Sequence, residues 1–148
     1  MSLKETINND IKTAMKAKDK ETLAVLRMIK TAIQAAEIDK KSDLTPEEEL
    51  TILSREAKQR RDSIVEFEKA GRQELVEKTQ GELAIVEKYL PAQLSLGEVQ
   101  AKIAEIAEQV GATTQKEFGK LMGAVMQALK GQADGNVIKE QVKAHLNK

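Results

Sequence analysis

An all-α fold of two unlike helical bundles is what this sequence predicts, and three observations predict it. Apolar residues recur every three or four positions on both sides of Pro91. Ser/Thr-x-x-Glu segments, the reciprocal N-terminal cap of a helix, begin at Thr45, Ser95 and Thr114. No stretch alternates apolar and polar residues as a half-buried strand does. The chain has 148 residues, 41% of them hydrophobic and 32% charged. A chain of that length buries roughly 68–70% of the surface its unfolded form exposes, enough for a real core.

The elements are taken in chain order. Leu3, Ile7, Ile11 and Ala14 or Met15 mark a first amphipathic helix, and Leu23, Leu26, Ile29, Ile33 and Ala36 a second. A polar break over 39–44 precedes Thr45-Pro46-Glu47-Glu48, a capping box with proline at the first helical position. The helix it opens carries Leu50, Leu53, Ala57, Ile64 and Phe67 and is expected to stop at Gly71. Leu75, Leu83, Val86 and Leu90 continue towards Pro91, with Gly81 a place for a kink. Proline cannot continue a regular helix, so the boundary between an N-terminal domain (1–90) and a C-terminal domain (95–148) is expected there. Beyond it, Ser95 opens a helix with Val99, Ile103, Ile106 and Val110 on one face, ending at Gly111. Thr114 opens a helix expected over 115–130, with Phe118, Leu121, Met122, Val125 and Leu129 inside. After a polar turn over 131–136, Val137, Ile138, Val142 and Leu146 line the last helix of a three-helix bundle.

Composition narrows the function classes. Twenty-four basic residues balance 24 acidic ones, which argues against a uniformly basic nucleic-acid coat but not against a local basic patch. There is no cysteine, so disulfides and thiolate chemistry are excluded. The lone histidine, His145, cannot form a multi-histidine metal site. The start of the chain carries no apolar signal region and no run reaches membrane-spanning length, so a cytoplasmic location without membrane contact is expected. Only Phe67, Tyr89 and Phe118 are aromatic. Proteins that grip single strands stack bases on aromatic platforms, so RNA bound here would be folded RNA held by its backbone.

No catalytic, cofactor or metal residues emerge. Glu47, Glu48 and Glu49 sit in a first helical turn, where the dipole favours negative charge. Glu56, Lys58, Arg60, Arg61, Asp62 and Glu66 alternate in sign as a solvated face does. Gly119-Lys120 lacks the rest of a phosphate loop. The 115–130 segment is unusual in another way. At about 100° per residue its apolar residues share one side, while Lys116, Gly119, Lys120, Gly123, Gln127 and Lys130 share the other. Two glycines on one helical face, with lysines and no acid, suggest that something approaches the backbone closely. That something is either a neighbouring helix or a phosphate backbone, and spacing alone favours the helix. Lys139 and Lys143, one turn apart, would extend a cationic surface.

The same residues carry a family resemblance. The segment from Gly119 to Met126, with Lys130-Gly131-Gln132-Ala133-Asp134-Gly135 and Val137, resembles the end of the YqeY family. Tyr89-Leu90-Pro91-Ala92-Gln93-Leu94-Ser95 resembles its interdomain signature, and Leu26-Arg27-Met28-Ile29 and the 58–64 segment its N-terminal part. The C-terminal segment is also similar to the tail of GatB, a subunit of the tRNA-dependent amidotransferase, although an Asn-Pro commonly stands there where this chain has Asp134-Gly135. YqeY-like domains are also appended to some glutaminyl-tRNA synthetases. The resemblance implies two unlike helical bundles and a non-catalytic accessory that contacts tRNA, with amidotransferase subunits or a glutaminyl- or glutamyl-tRNA synthetase as partners. A protein-interaction adaptor is the alternative. The resemblance also brings a label of carbon–nitrogen ligase activity with glutamine as amido-N-donor, which the residues here do not support.

Overall fold

The computed structural model describes residues 2–147. Among them are seven α-helices and no strand, so the fold is all-α. They are α1 (Leu3–Ala17), α2 (Lys20–Lys40), α3 (Pro46–Lys69), α4 (Gln73–Glu87), α5 (Leu96–Val110), α6 (Phe118–Ala128) and α7 (Gly135–Leu146), with a 3₁₀ turn at Gln115–Glu117. Two compact units divide them, residues 1–90 and 91–148.

Cap chemistry sets many of the helix ends. At the start of α3 the Thr45 hydroxyl accepts from the Glu48 amide at 3.2 Å, and the Glu48 carboxylate accepts from the Thr45 amide at 3.0 Å. The Lys40 ammonium and these bonds hold the Glu48 carboxyl at about 2, well below its usual value. Ser95 and Glu98 repeat the box at α5, and the Ser95 amide lowers the Glu98 pKa. Gly111 closes α5 with a left-handed φ of 73°. Lys18 and Lys41 close α1 and α2 in the same left-handed region, at φ 57° and 64°, where glycine has the lower strain. No glycine marks either stop, and only the polar break over 39–44 announces the second.

The N-terminal unit packs α1 to α4 around Ile7, Ala14, Val25, Leu26, Ile29, Ile33, Leu53, Ala57 and Val86. Met15 falls outside this core and is 54% exposed, because Ala14 takes the inward position. The alternating charges of α3 are not all solvated either. Arg60 is only 5% exposed. Its Nη1 donates to the Glu56 carbonyl at 3.0 Å, its Nη2 meets the Met28 thioether at 3.7 Å, and its Nε lies 3.3 Å from the Glu82 carboxylate. The last approach is an ion pair rather than a hydrogen bond, since the Nε–H finds no aligned acceptor. One guanidinium thus ties α3 to α2 and α4. The expectation of a solvated face fails at Arg60 because its position on α3 points it between neighbouring helices, where only a paired charge is tolerated.

Helix α4 runs through Gly81 without a break. A Cβ there would lie 2.5 Å from the Glu21 carboxylate oxygen, so the glycine makes room for that side chain. Tyr89 donates from its hydroxyl to the Asp10 carboxylate, and burial together with that bond pushes the phenol's pKa up.

The C-terminal unit surrounds an apolar core of Val99, Ile103, Ile106, Leu121, Val125, Leu129, Ile138 and Val142. Two loops are pinned together beneath it. The Gln93 side-chain amide donates to the Gly131 carbonyl at 2.7 Å, and the Leu94 amide donates to the Gln132 carbonyl at 2.9 Å. Val137, expected inside the last helix, lies at its edge with 36% exposure, since Ile138 takes the inward position.

Candidate nucleic-acid interface

The candidate face is built on α6. Leu121 and Val125 are fully buried, and Phe118 and Met122 pack against the same core. Helical geometry then turns Gly119, Lys120, Gly123 and Gln127 outward, and all four are exposed. A Cβ at either glycine would meet nothing within 4 Å. No neighbouring helix among the described residues therefore covers the glycine strip, which removes packing inside this chain as its reason.

The single long helix expected over 115–130 is interrupted at both ends. Glu117 closes the Thr114 segment by accepting from the amides of Thr113 and Thr114 at 3.2 and 3.3 Å, but residues 115–117 form a 3₁₀ turn rather than α-helix. Leu129 caps α6 with φ −103° and ψ 15°. Lys116 thus precedes α6 and Lys130 lies past its end, so the rotation of 100° per residue that aligned them with Lys120 does not hold at either position. Lys116 is exposed and Lys130 half-buried. The backbone bonds that hold Glu117 also lower its pKa, with a smaller contribution from Lys120. An acid therefore sits beside Lys120, contrary to the expectation of an acid-free face.

Lys139 and Lys143 are exposed on α7. Gln100 donates to Gln141 at 2.9 Å, which places α5 against the Gln141 flank of α7. At about 100° per residue both lysines lie on the opposite flank, away from α5. Met126, 40% exposed, lies beside the glycine strip, and its terminal methyl sits 3.6 Å from where a Gly135 Cβ would be. Spacing could have flagged Met126, since it falls off the buried stripe of α6.

No group of three His, Asp or Glu side chains among the described residues is placed to hold a metal ion. No helix among them is long and apolar enough to cross a membrane.

Fold and face together define an all-helical protein of two compact units, with an open glycine and lysine surface on the second. The chain belongs to the YqeY family, described as Yqey-like protein, whose pattern matches residues 4–146. It is similar to the protein named "Altered inheritance of mitochondria protein 41, mitochondrial" in three fungi. Identity is 32% with that of Pyrenophora tritici-repentis, covering 84% of this chain and 69% of the relative. With that of Kluyveromyces lactis it is 38%, covering 68% and 56%. With that of Saccharomyces cerevisiae strain S288c it is 30%, covering 80% and 68%.

These names correct the expected cytoplasmic location. The relatives are designated mitochondrial. Mitochondrial transit segments are amphipathic and basic rather than apolar, so a start without an apolar run has no bearing on that compartment.

Proposed function

We propose that the chain is a tRNA-associated accessory module whose C-terminal unit lies along the sugar–phosphate backbone of a folded RNA. The observation that carries this reading is the empty space over Gly119 and Gly123, with Lys120 exposed on the same helix and Lys116 and Lys130 just beyond its two ends. A backbone can approach bare glycines closely, and lysines beside them replace the counterions it releases. Gln127 adds a neutral donor, and Lys139 and Lys143 would widen the cationic surface. The likeness of this segment to the GatB tail supports RNA as the ligand, and the proposal assigns no chemistry to the chain. The same open face also fits a partner helix, the adaptor reading, with an amidotransferase or a synthetase as the protein bound.

Salt separates the two. Filter binding of tRNA across a salt series should show steep weakening, and replacing Lys116, Lys120 and Lys130 by glutamate should abolish binding with helicity intact. Removing one lysine–phosphate pair should flatten the log–log slope by somewhat under about one unit. Gly123→Leu, which meets open space, should leave the melting temperature unlowered yet weaken binding at every salt concentration. Wild-type affinity in the triple glutamate variant would remove the RNA reading and leave the adaptor.

A further inference from the structure

Helices α1 and α2 run antiparallel, since Lys4 near the start of one donates at 3.2 Å to both carboxylate oxygens of Glu37 near the end of the other. Between them lies a hollow of about 200 Å³. Ile7 and Ile33 form its floor, each 1% exposed, so the hollow reaches down to the hydrophobic core. Its walls are polar, with Lys4 and Asn8 on α1 and Lys30, Gln34 and Glu37 on α2. An apolar floor with a few converging polar groups is the usual form of a small-molecule pocket.

The polar groups divide into two ends. At one, Lys4 is closed on Glu37, and Asp43 lies 3.6 Å from the same ammonium. Glu49 stands beside them, its carboxyl pushed up by burial and by Glu37. Three carboxylates there leave no cation over. Lys30 marks the other end, seven residues or about 10 Å back along α2. No hydrogen bond or ion pair within the described residues engages Lys30, Asn8 or Gln34. Lys30 and Asn8 are half-buried and Gln34 is exposed. One turn further along the two helices, Lys12 and Arg27 add positive charge, and no ion pair among the described residues engages them either. Glu37 is the one carboxylate in the walls, and Lys4 already holds it.

The free groups decide the ligand. An ammonium and two carboxamides can all donate to one oxyanion, and charge assistance strengthens such bonds. The isoleucine floor beside them asks for an apolar body. The volume lies below the roughly 300–1,000 Å³ of drug-sized sites, so that body is a few carbons long rather than a nucleotide.

We propose that this hollow binds a small organic anion, whose carboxylate or phosphate meets Lys30, Asn8 and Gln34 and whose short aliphatic body covers Ile7 and Ile33. The site lies in the N-terminal unit and does not depend on the RNA reading.

Chain length and charge test it together. Acetate and butyrate form one pair of probes, methyl phosphate and propyl phosphate another. In nuclear magnetic resonance titrations of the full chain, the longer member of at least one pair should saturate on the order of 1 mM, with the Asn8 and Gln34 side-chain amides shifting. It should bind about tenfold tighter than its shorter partner, since two more methylenes leave water over the isoleucines. Which pair responds tells which oxyanion the site takes. Lys30→Met keeps the stem and should weaken that probe at least about tenfold with an unchanged melting curve, and Lys30→Arg should restore most of the affinity. No gain with length in either pair would overturn the inference, as would wild-type affinity in Lys30→Met. Tighter binding of n-butylammonium than of either longer probe would also overturn it, by giving the hollow to the carboxylates around Glu37.

Discussion

Arg60 is buried among three helices of the N-terminal unit, whereas the buried residues of the C-terminal unit among those described are all apolar. The inter-helix ion pairs show the same division. Lys4 joins Glu37 at 3.2 Å, Arg60 joins Glu82 at 3.3 Å and Arg61 joins Glu87 at 3.5 Å, all in the N-terminal unit. In the C-terminal unit Lys116, Lys120, Lys139 and Lys143 stand outside the core and exposed. Glycines differ in parallel: Gly81 is filled over by the Glu21 carboxylate, while Gly119 and Gly123 face open space. A cation or a helical glycine therefore says little by itself. What matters is whether the chain's own neighbours use it, and the C-terminal unit leaves its own available.

The largest expected effect probes the apolar side of that contrast. Leu121 is 0% exposed at the centre of the C-terminal core. Leu121→Ala should destabilise by about 2–5 kcal/mol in denaturant unfolding, through the missing transfer energy and the cavity left behind. Arg60→Met probes the polar side. It keeps bulk but strands Glu82 and Glu56, and should cost about 1–3 kcal/mol. A loss indistinguishable from zero would mean that packing alone, not charge, organises the N-terminal unit.

Smaller effects sharpen the comparison of backbone positions. Gly123→Ala should stabilise by about 0.5–1 kcal/mol, since a methyl there meets nothing and the helix gains propensity. Gly81→Ala should gain less, because the Glu21 carboxylate must first move. Equal gains would show that Glu21 does not hold its place over α4. Lys18→Gly should stabilise by roughly 0.5–1 kcal/mol, by relieving a left-handed residue where Gly111 already serves α5.

Acid should act on both units through their caps. The folded carboxyls of Glu48, Glu98 and Glu117 lie below their usual value. Their contribution is therefore present above about 4.5 and is lost as pH falls through that value towards the folded pKa. Melting temperature should drop across this window. Glu48→Gln should flatten the drop, because Glu48 titrates at about 2 when folded. A melting temperature that holds constant through the window would show that the caps lack this role.

The helices were legible because their signals are local. Thr45 with Glu48, Ser95 with Glu98, and glycine at 71 and 111 act within four residues of one another, through bonds between neighbouring backbone groups. Apolar spacing likewise identified most of both cores. The glycine and lysine residues of the candidate face were also visible, but their alignment was not. The 3₁₀ turn before Phe118 and the early end of α6 displace Lys116 and Lys130 from the regular rotation that spacing assumes.

By itself, then, the sequence determined the all-α class, the capped helix starts and the inward stripes of most helices, though in α4 Val76 and Ile85 rather than Leu75 and Leu83 are buried. Only the tertiary structure decided which outward faces are covered. It buried Arg60 against Glu82, twenty-two positions away in sequence, and laid Glu21 over Gly81, sixty positions away. It left the glycine strip of α6 bare. Helix formation depends on partners within one turn, whereas the cover over a face comes from distant residues that leave no mark in local spacing.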